Sequence, residues 1–115
     1  MTLREREHKE AARTARMAAA TQVVARRRGL LGTAALNPEL LYSTNPAGWK
    51  EALYLGEWWE AVARLRATAS RFHRGPYGTD PPKPFGLGER IVMKSRVAQV
   101  RRILARLREA RAAQD

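Results

Sequence analysis

PAGWKEALYLGEWWEAVARLRATASRF, residues 46–72, is the stretch that decides the fold class. Tyr54, Leu55, Trp58, Ala61, Val62, Leu65, Ala69 and Phe72 recur at helical spacing and therefore share one stripe of an α-helix. Asn45 suits the N-cap, and Pro46 suits the first helical position, where a missing N–H costs nothing. Glu60 and Arg64 stand four apart as a supporting ion pair. Gly56 costs about 1 kcal/mol against alanine in a helix interior; it either admits a close neighbour or has no role. Trp49, Trp58 and Trp59 share this helix. Adjacent helical side chains diverge by roughly 100°, so Trp58 and Trp59 cannot both enter one narrow core. Trp59 either meets a second interface or packs under the following segment near Tyr77.

That segment is HRGPYGTDPPKPFGLG, residues 73–88, which holds four of the six prolines and four of the eight glycines. It predicts an extended, semi-stiff strap carrying Tyr77 and Phe85, not a helix or a strand. Phe85-Gly86-Leu87-Gly88 leads into the next helix, where backbone amides could converge on an anion; a plain flexible turn suits the same residues. A last helix is predicted from about Glu89 to Ala113. Met93, Val97, Val100, Leu104 and Leu107 form its narrow apolar seam, and Arg90, Lys94, Arg96, Arg101, Arg102, Arg106, Arg108 and Arg111 cover most of the remaining surface.

Upstream, a helix is predicted from about Leu3 to Arg28. Thr2 and Glu5 fit a capping box, and Gly29 and Gly32 offer stops. Its apolar face, Ala12, Ala15, Ala19 and Val23, is weak, so this helix must lie on something. Residues 29–45 read as a connector, with Asn37-Pro38 and Asn45-Pro46 as breakers. The expected fold is all-α: two or three long helices joined by extended Pro/Gly-rich segments, with little independent core. Its parts are a basic N-terminal helix or arm (1–35), a connector and central amphipathic helix (36–72), the strap (73–88) and a basic C-terminal helix (89–115).

Composition explains the thin core and points to a partner. Hydrophobic residues make up 44% of the 115, but aromatics are only 7%, and much of the rest is alanine, whose burial contributes little. The chain carries 22 Lys+Arg against 11 Asp+Glu, a net charge of +11. Self-repulsion makes such an excess costly unless a partner neutralises it. The charge sits at the ends: residues 1–35 hold 8 basic and 3 acidic side chains, 36–88 hold 6 and 5, and 89–115 hold 8 and 3. A near-neutral middle with two basic arms is suited to a polyanion.

Catalytic and metal chemistry find no foothold. There are no cysteines, hence no disulfide, thiolate zinc site or cysteine nucleophile. His8 lies in a charged helical run and His73 at a helix end beside Arg74, so both read as solvated or phosphate-facing side chains. Glu39, Glu51, Glu57, Glu60 and Asp80 show no paired spacing typical of hydrolytic carboxylates, and no phosphate-loop motif occurs. The expectation is a non-enzyme that uses no cofactor, metal or small-molecule substrate. No apolar run is long enough to span a membrane, and no secretory signal pattern opens the chain. From Ala11 to Pro38 there is no acidic residue, while Arg13, Arg16 and Arg26 to Arg28 alternate with alanine, Met17, Val23, Val24, Leu30 and Leu31. That run is similar to a mitochondrial presequence. A mitochondrial location is expected, otherwise a cytoplasmic one, and not secretion.

Basic helices, an aromatic Pro/Gly strap and a poor core together resemble the small accessory proteins of ribosomes, organellar ones in particular. The resemblance covers the whole chain as a plan without a diagnostic motif. It implies a structural subunit of a ribonucleoprotein that contacts ribosomal RNA and neighbouring proteins, meeting RNA by shape and phosphate contacts. The residues expected to meet RNA are Arg13, Arg16, Arg26, Arg27, Arg28, Arg74, Lys83, Arg90, Lys94, Arg96, Arg101, Arg102, Arg106 and Arg108. Trp58, Trp59, Tyr77, Phe85, Val97, Val100, Leu104 and Leu107 are expected at protein interfaces. Two other readings stay open. One is a supernumerary or assembly subunit of a mitochondrial respiratory or ATP synthase complex. The other is a DNA-binding or viral structural protein whose last helix self-associates.

Overall fold

The computed structural model describes residues 2–30 and 37–114. Among them it shows four helices and no strand: α1 (Leu3–Arg27), α2 (Pro38–Thr44), α3 (Pro46–Arg74) and α4 (Leu87–Ala112). The protein is all-α. The contacts divide the chain into two compact units, one built from the chain up to Gly56 together with Arg106 onward, the other from Glu57–Ala105.

In the first unit α1 opens with the capping box read from the sequence. Glu5 N–H donates to Thr2 Oγ1 at 3.2 Å and Thr2 N–H to Glu5 Oε2 at 3.1 Å. The helix closes on Gly29 at φ +70°, with Gly29 N–H donating to Arg26 O and Leu30 N–H to Ala25 O. This is the Schellman arrangement, which glycine makes without a Cβ penalty. The second proposed stop, Gly32, lies outside the described residues.

The apolar face of α1 differs from the expected one. Ala12, Ala15 and Ala19 are exposed and Val23 is 44% exposed, whereas Ala20, Thr21, Val24 and Ala25 are buried. The stripe is rotated by about one residue, because Val24 supplies the larger burial and Arg28 falls on that side to meet a carboxylate. Thr2 through Ala15 are all exposed, so roughly 20 Å of helix has no covering among the described residues.

The proposed connector contains a helix. Asn37-Pro38, read as a breaker, is a start signal: Asn37 Oδ1 accepts from Glu39 N–H at 2.9 Å and Pro38 takes the first helical position. The remaining connector positions, 31–36, lie outside the described residues. α2 packs on α1, burying Leu41, and Tyr42 meets Trp49 edge to face at 4.9 Å. Asn45 then caps α3, accepting from Gly48 N–H at 3.0 Å. Gly56 faces α1: a Cβ added there would sit 3.8 Å from the Ala20 Cβ. The core of this unit is Ala20, Val24, Ala25, Leu41, Ala52, Leu55, Leu107 and Ala110. It is small and half alanine, in keeping with the thin apolar composition.

The second unit is poorer still. Of the described apolar side chains in Glu57–Ala105 only Ala61 is buried, while Trp58, Trp59, Val62, Leu65, Phe72, Val97, Val100 and Leu104 are half-buried. Burying a leucine or phenylalanine fully contributes about 1.5–3 kcal/mol, and here no large side chain reaches that state. The α3 stripe holds the predicted positions, and Arg64 pairs with Glu60 at 3.2 Å.

The strap is shorter than expected: residues 73–74 continue α3 and 87–88 open α4, while the irregular residues 75–86 are sewn to the end of α3. Gly75 takes φ +77° and donates to Arg71 O. Asp80 N–H donates to Arg74 O, and Lys83 N–H to His73 O. In return the His73 Nδ1–H donates to Lys83 O at 2.7 Å. Phe85 meets Phe72 edge to face, with centroids 6.3 Å apart. Tyr77, by contrast, is 89% exposed and covers neither tryptophan.

Candidate functional site

α4 carries the densest positive charge and starts at the turn the sequence offered either as an anion site or as a plain flexible turn. Gly86 N–H there donates to Glu89 Oε1 at 2.9 Å, so the chain's own carboxylate holds that amide. Along the helix, Arg90, Lys94, Arg101, Arg102, Arg106 and Arg108 are exposed and Arg96 is half-buried. None of these seven cations forms an ion pair with a described residue; only Arg111 on this helix does.

In the second unit, Arg90, Lys94 and Arg101 fall within about 40° of one another around the helix axis and span roughly 16 Å along it. They border a groove of about 740 Å³ whose floor is Phe85, Met93, Val97 and Ala98. On the other side of Phe85 lies a hollow of about 530 Å³ lined by Ala69, Ser70, His73, Arg74 and Pro84. Arg102 points about 100° away from Arg101 and belongs to neither. Near the start of α4, Leu87 and Ile91 are 79% and 64% exposed.

The other expected RNA-contacting residues differ in exposure and in partners. Arg13 and Arg26 are exposed on α1, and Arg16 is half-buried. Lys83 is exposed, while Arg74 donates from Nε to Gly78 O at 3.3 Å. Arg28 turns inward to Glu51, a carboxylate with no exposed surface, whereas Arg27 stays exposed. Arg28 Nη2 donates to Glu51 Oε1 at 3.0 Å and also to Arg111 O at 3.3 Å. Arg111 Nε reaches Glu51 Oε2 at 3.4 Å, Gln114 Nε2 reaches Oε1 at 2.8 Å, and Arg27 stands 3.8 Å away. The fork of Arg28 joins three chain segments through one anion. Its side chain is only 16% exposed, so its charge is used internally.

Among the expected interface residues, Trp58, Trp59, Phe85, Val97, Val100 and Leu104 keep exposed surface, whereas Leu107 is 1% exposed and belongs to the first unit's core. Trp58 Nε1 is buried without an acceptor among the described residues. The sequence reading weighed Glu51 only as a catalytic carboxylate, not as the centre of a buried ion network, and did not single out Ala98. Glu51 had a visible signal: it stands three and four residues before Tyr54 and Leu55 on the same helical stripe, and a charge on an apolar face needs a counter-ion.

Among the described residues no group of three His, Asp or Glu could hold a metal, and no helix is long and apolar enough to cross a membrane. No protein-family model, curated protein or solved structure matches the chain.

Proposed function

We propose that this chain is a non-catalytic structural subunit of a large ribonucleoprotein, a small ribosomal protein of mitochondrial type that contacts ribosomal RNA and neighbouring proteins. One observation carries the reading: seven of the eight cations on α4 have no counter-ion among the described residues. Arginines with free planar forks pair readily with phosphate oxygens, and their placement along a helix suits a sugar–phosphate backbone. Such contacts position a protein on RNA without reading bases. Arg102, Arg106 and Arg108 on α4, and separately Arg13 and Arg26 on α1, are the exposed cations left for phosphates. The shallow second unit supports the protein side of the reading, since its half-buried aromatic and aliphatic residues gain burial only from a neighbour.

The test is sedimentation of a cell extract from the source before and after ribonuclease. The chain should travel with heavy particles and leave them when the RNA is cut. Persistence in heavy, detergent-soluble particles after ribonuclease would overturn the reading in favour of a respiratory or ATP synthase subunit.

A further inference from the structure

We propose that the groove on α4 seats an acidic amphipathic helix of a neighbouring protein, distinct from the phosphate contacts made elsewhere on the chain. Its floor is Phe85, Met93, Val97 and Ala98, and its rim is Arg90, Lys94 and Arg101. The floor offers aliphatic surface and the edge of one ring, with no amide or hydroxyl to satisfy the polar edge of a nucleobase. Phe85 is also already engaged edgewise by Phe72 and His73, which leaves it poorly disposed to stack a base. Leucine or isoleucine side chains presented at i, i+3/i+4 and i+7 fit such a floor.

The rim fixes the sign of the occupant. Arg90, Lys94 and Arg101 stand roughly 6 and 10 Å apart along one face, and no described carboxylate pairs with any of them. Glu89, the one acidic residue in this part of α4, is held by Gly86 N–H. Glutamates flanking the apolar side chains of a docked helix would meet all three cations at the groove's wet edge, where charge sets specificity more than affinity. The surroundings also favour a covering partner, because the second unit buries no large apolar side chain of its own.

The experiment uses the full-length chain and three fluorescein-labelled peptides of about 15 residues. One is a leucine-faced amphipathic helix flanked by glutamate; one is the same composition scrambled; one carries lysine in place of glutamate. Anisotropy should show the glutamate helix binding at least about tenfold more tightly than the other two. Met93→Ser/Val97→Ser, which changes no charge, should lose that preference while leaving the affinity for a uridine oligonucleotide unchanged. Arg90→Glu/Lys94→Glu/Arg101→Glu alters exposed side chains only and should invert the preference towards the lysine helix, a gain that misfolding cannot mimic. Equal binding of the scrambled peptide, or failure of the charge reversal to invert the preference, would overturn the proposal. Loss of oligonucleotide binding in the groove-floor variant would overturn it too, by making the groove an RNA site. RNA binding by the parent chain is read separately, so this proposal and the ribonucleoprotein reading can fail independently.

Discussion

Replacing Glu51 with alanine removes the anion that holds α1, α3 and the end of α4 together in the first unit. The carboxylate has no solvent exposure and accepts from Arg28 at 3.0 Å, Arg111 at 3.4 Å and Gln114 at 2.8 Å. Deleting one partner of a buried pair costs about 3–5 kcal/mol, because the remaining charge is stranded. Two features place this case at the low end. Arg111 is 31% exposed and can turn towards water, and Arg27, at 41%, contributes little. Arg28, at 16%, cannot escape so easily. The expected loss is therefore about 3 kcal/mol, a factor of more than about 100 in the folding equilibrium. Urea unfolding followed by far-ultraviolet circular dichroism measures it, and Glu51→Gln should fall between parent and alanine variant. Changing Glu51→Leu and Arg28→Met together should recover much of the loss, since an apolar pair no longer strands a charge. A loss below about 1 kcal/mol for Glu51→Ala would refute the view that this carboxylate organises the unit.

Other perturbations test single features. Gly56→Ala should stabilise by about 0.5–1 kcal/mol, because the added methyl meets the Ala20 Cβ at an ordinary 3.8 Å; the urea midpoint reads it. Gly75→Ala should destabilise by about 1–2 kcal/mol, since Gly75 sits at φ +77° and a Cβ would collide with the Asp80 carboxylate; thermal unfolding reads it. Asn37→Ala should cost about 1 kcal/mol and release α2, seen as lost quenching between Tyr42 and Trp49, now 4.9 Å apart. Hydrogen exchange should find the α3 and α4 amides of Glu57–Ala105 opening more easily than those around Val24 and Leu107, where the buried side chains lie.

Much of the fold was legible because its signals are local. Thr2 with Glu5 and Asn45 with Pro46 announce helix starts within four residues, and the α3 stripe repeats often enough to fix its phase. Asn37-Pro38 carries the same start chemistry but opens only seven helical residues, too few for a periodic pattern to distinguish start from stop. The phase of α1 was misread because alanine lies on every side of it, and Val23 and Val24 are equal candidates until Leu41 and Glu51 select one. Glu51 illustrates the limit on the site. Its partners lie 23, 60 and 63 positions away, and no local spacing encodes them. The same network takes Arg28 out of the phosphate-facing set, although its sequence context equals that of Arg26. On α4 the charge was readable from composition, but the sorting of Arg90, Lys94 and Arg101 around Phe85 required the strap to fold back on α3.

The proposed function requires the α4 cations without a described counter-ion to bind RNA phosphates. Its most direct test is the affinity of the purified chain for a structured RNA across a salt series. The account predicts log K falling linearly with log salt, at a slope of roughly −0.7 to −0.9 per phosphate engaged. Arg102→Glu/Arg106→Glu/Arg108→Glu should make that slope shallower by about 2–3. An affinity indifferent to salt, or no binding even at low ionic strength, would contradict it.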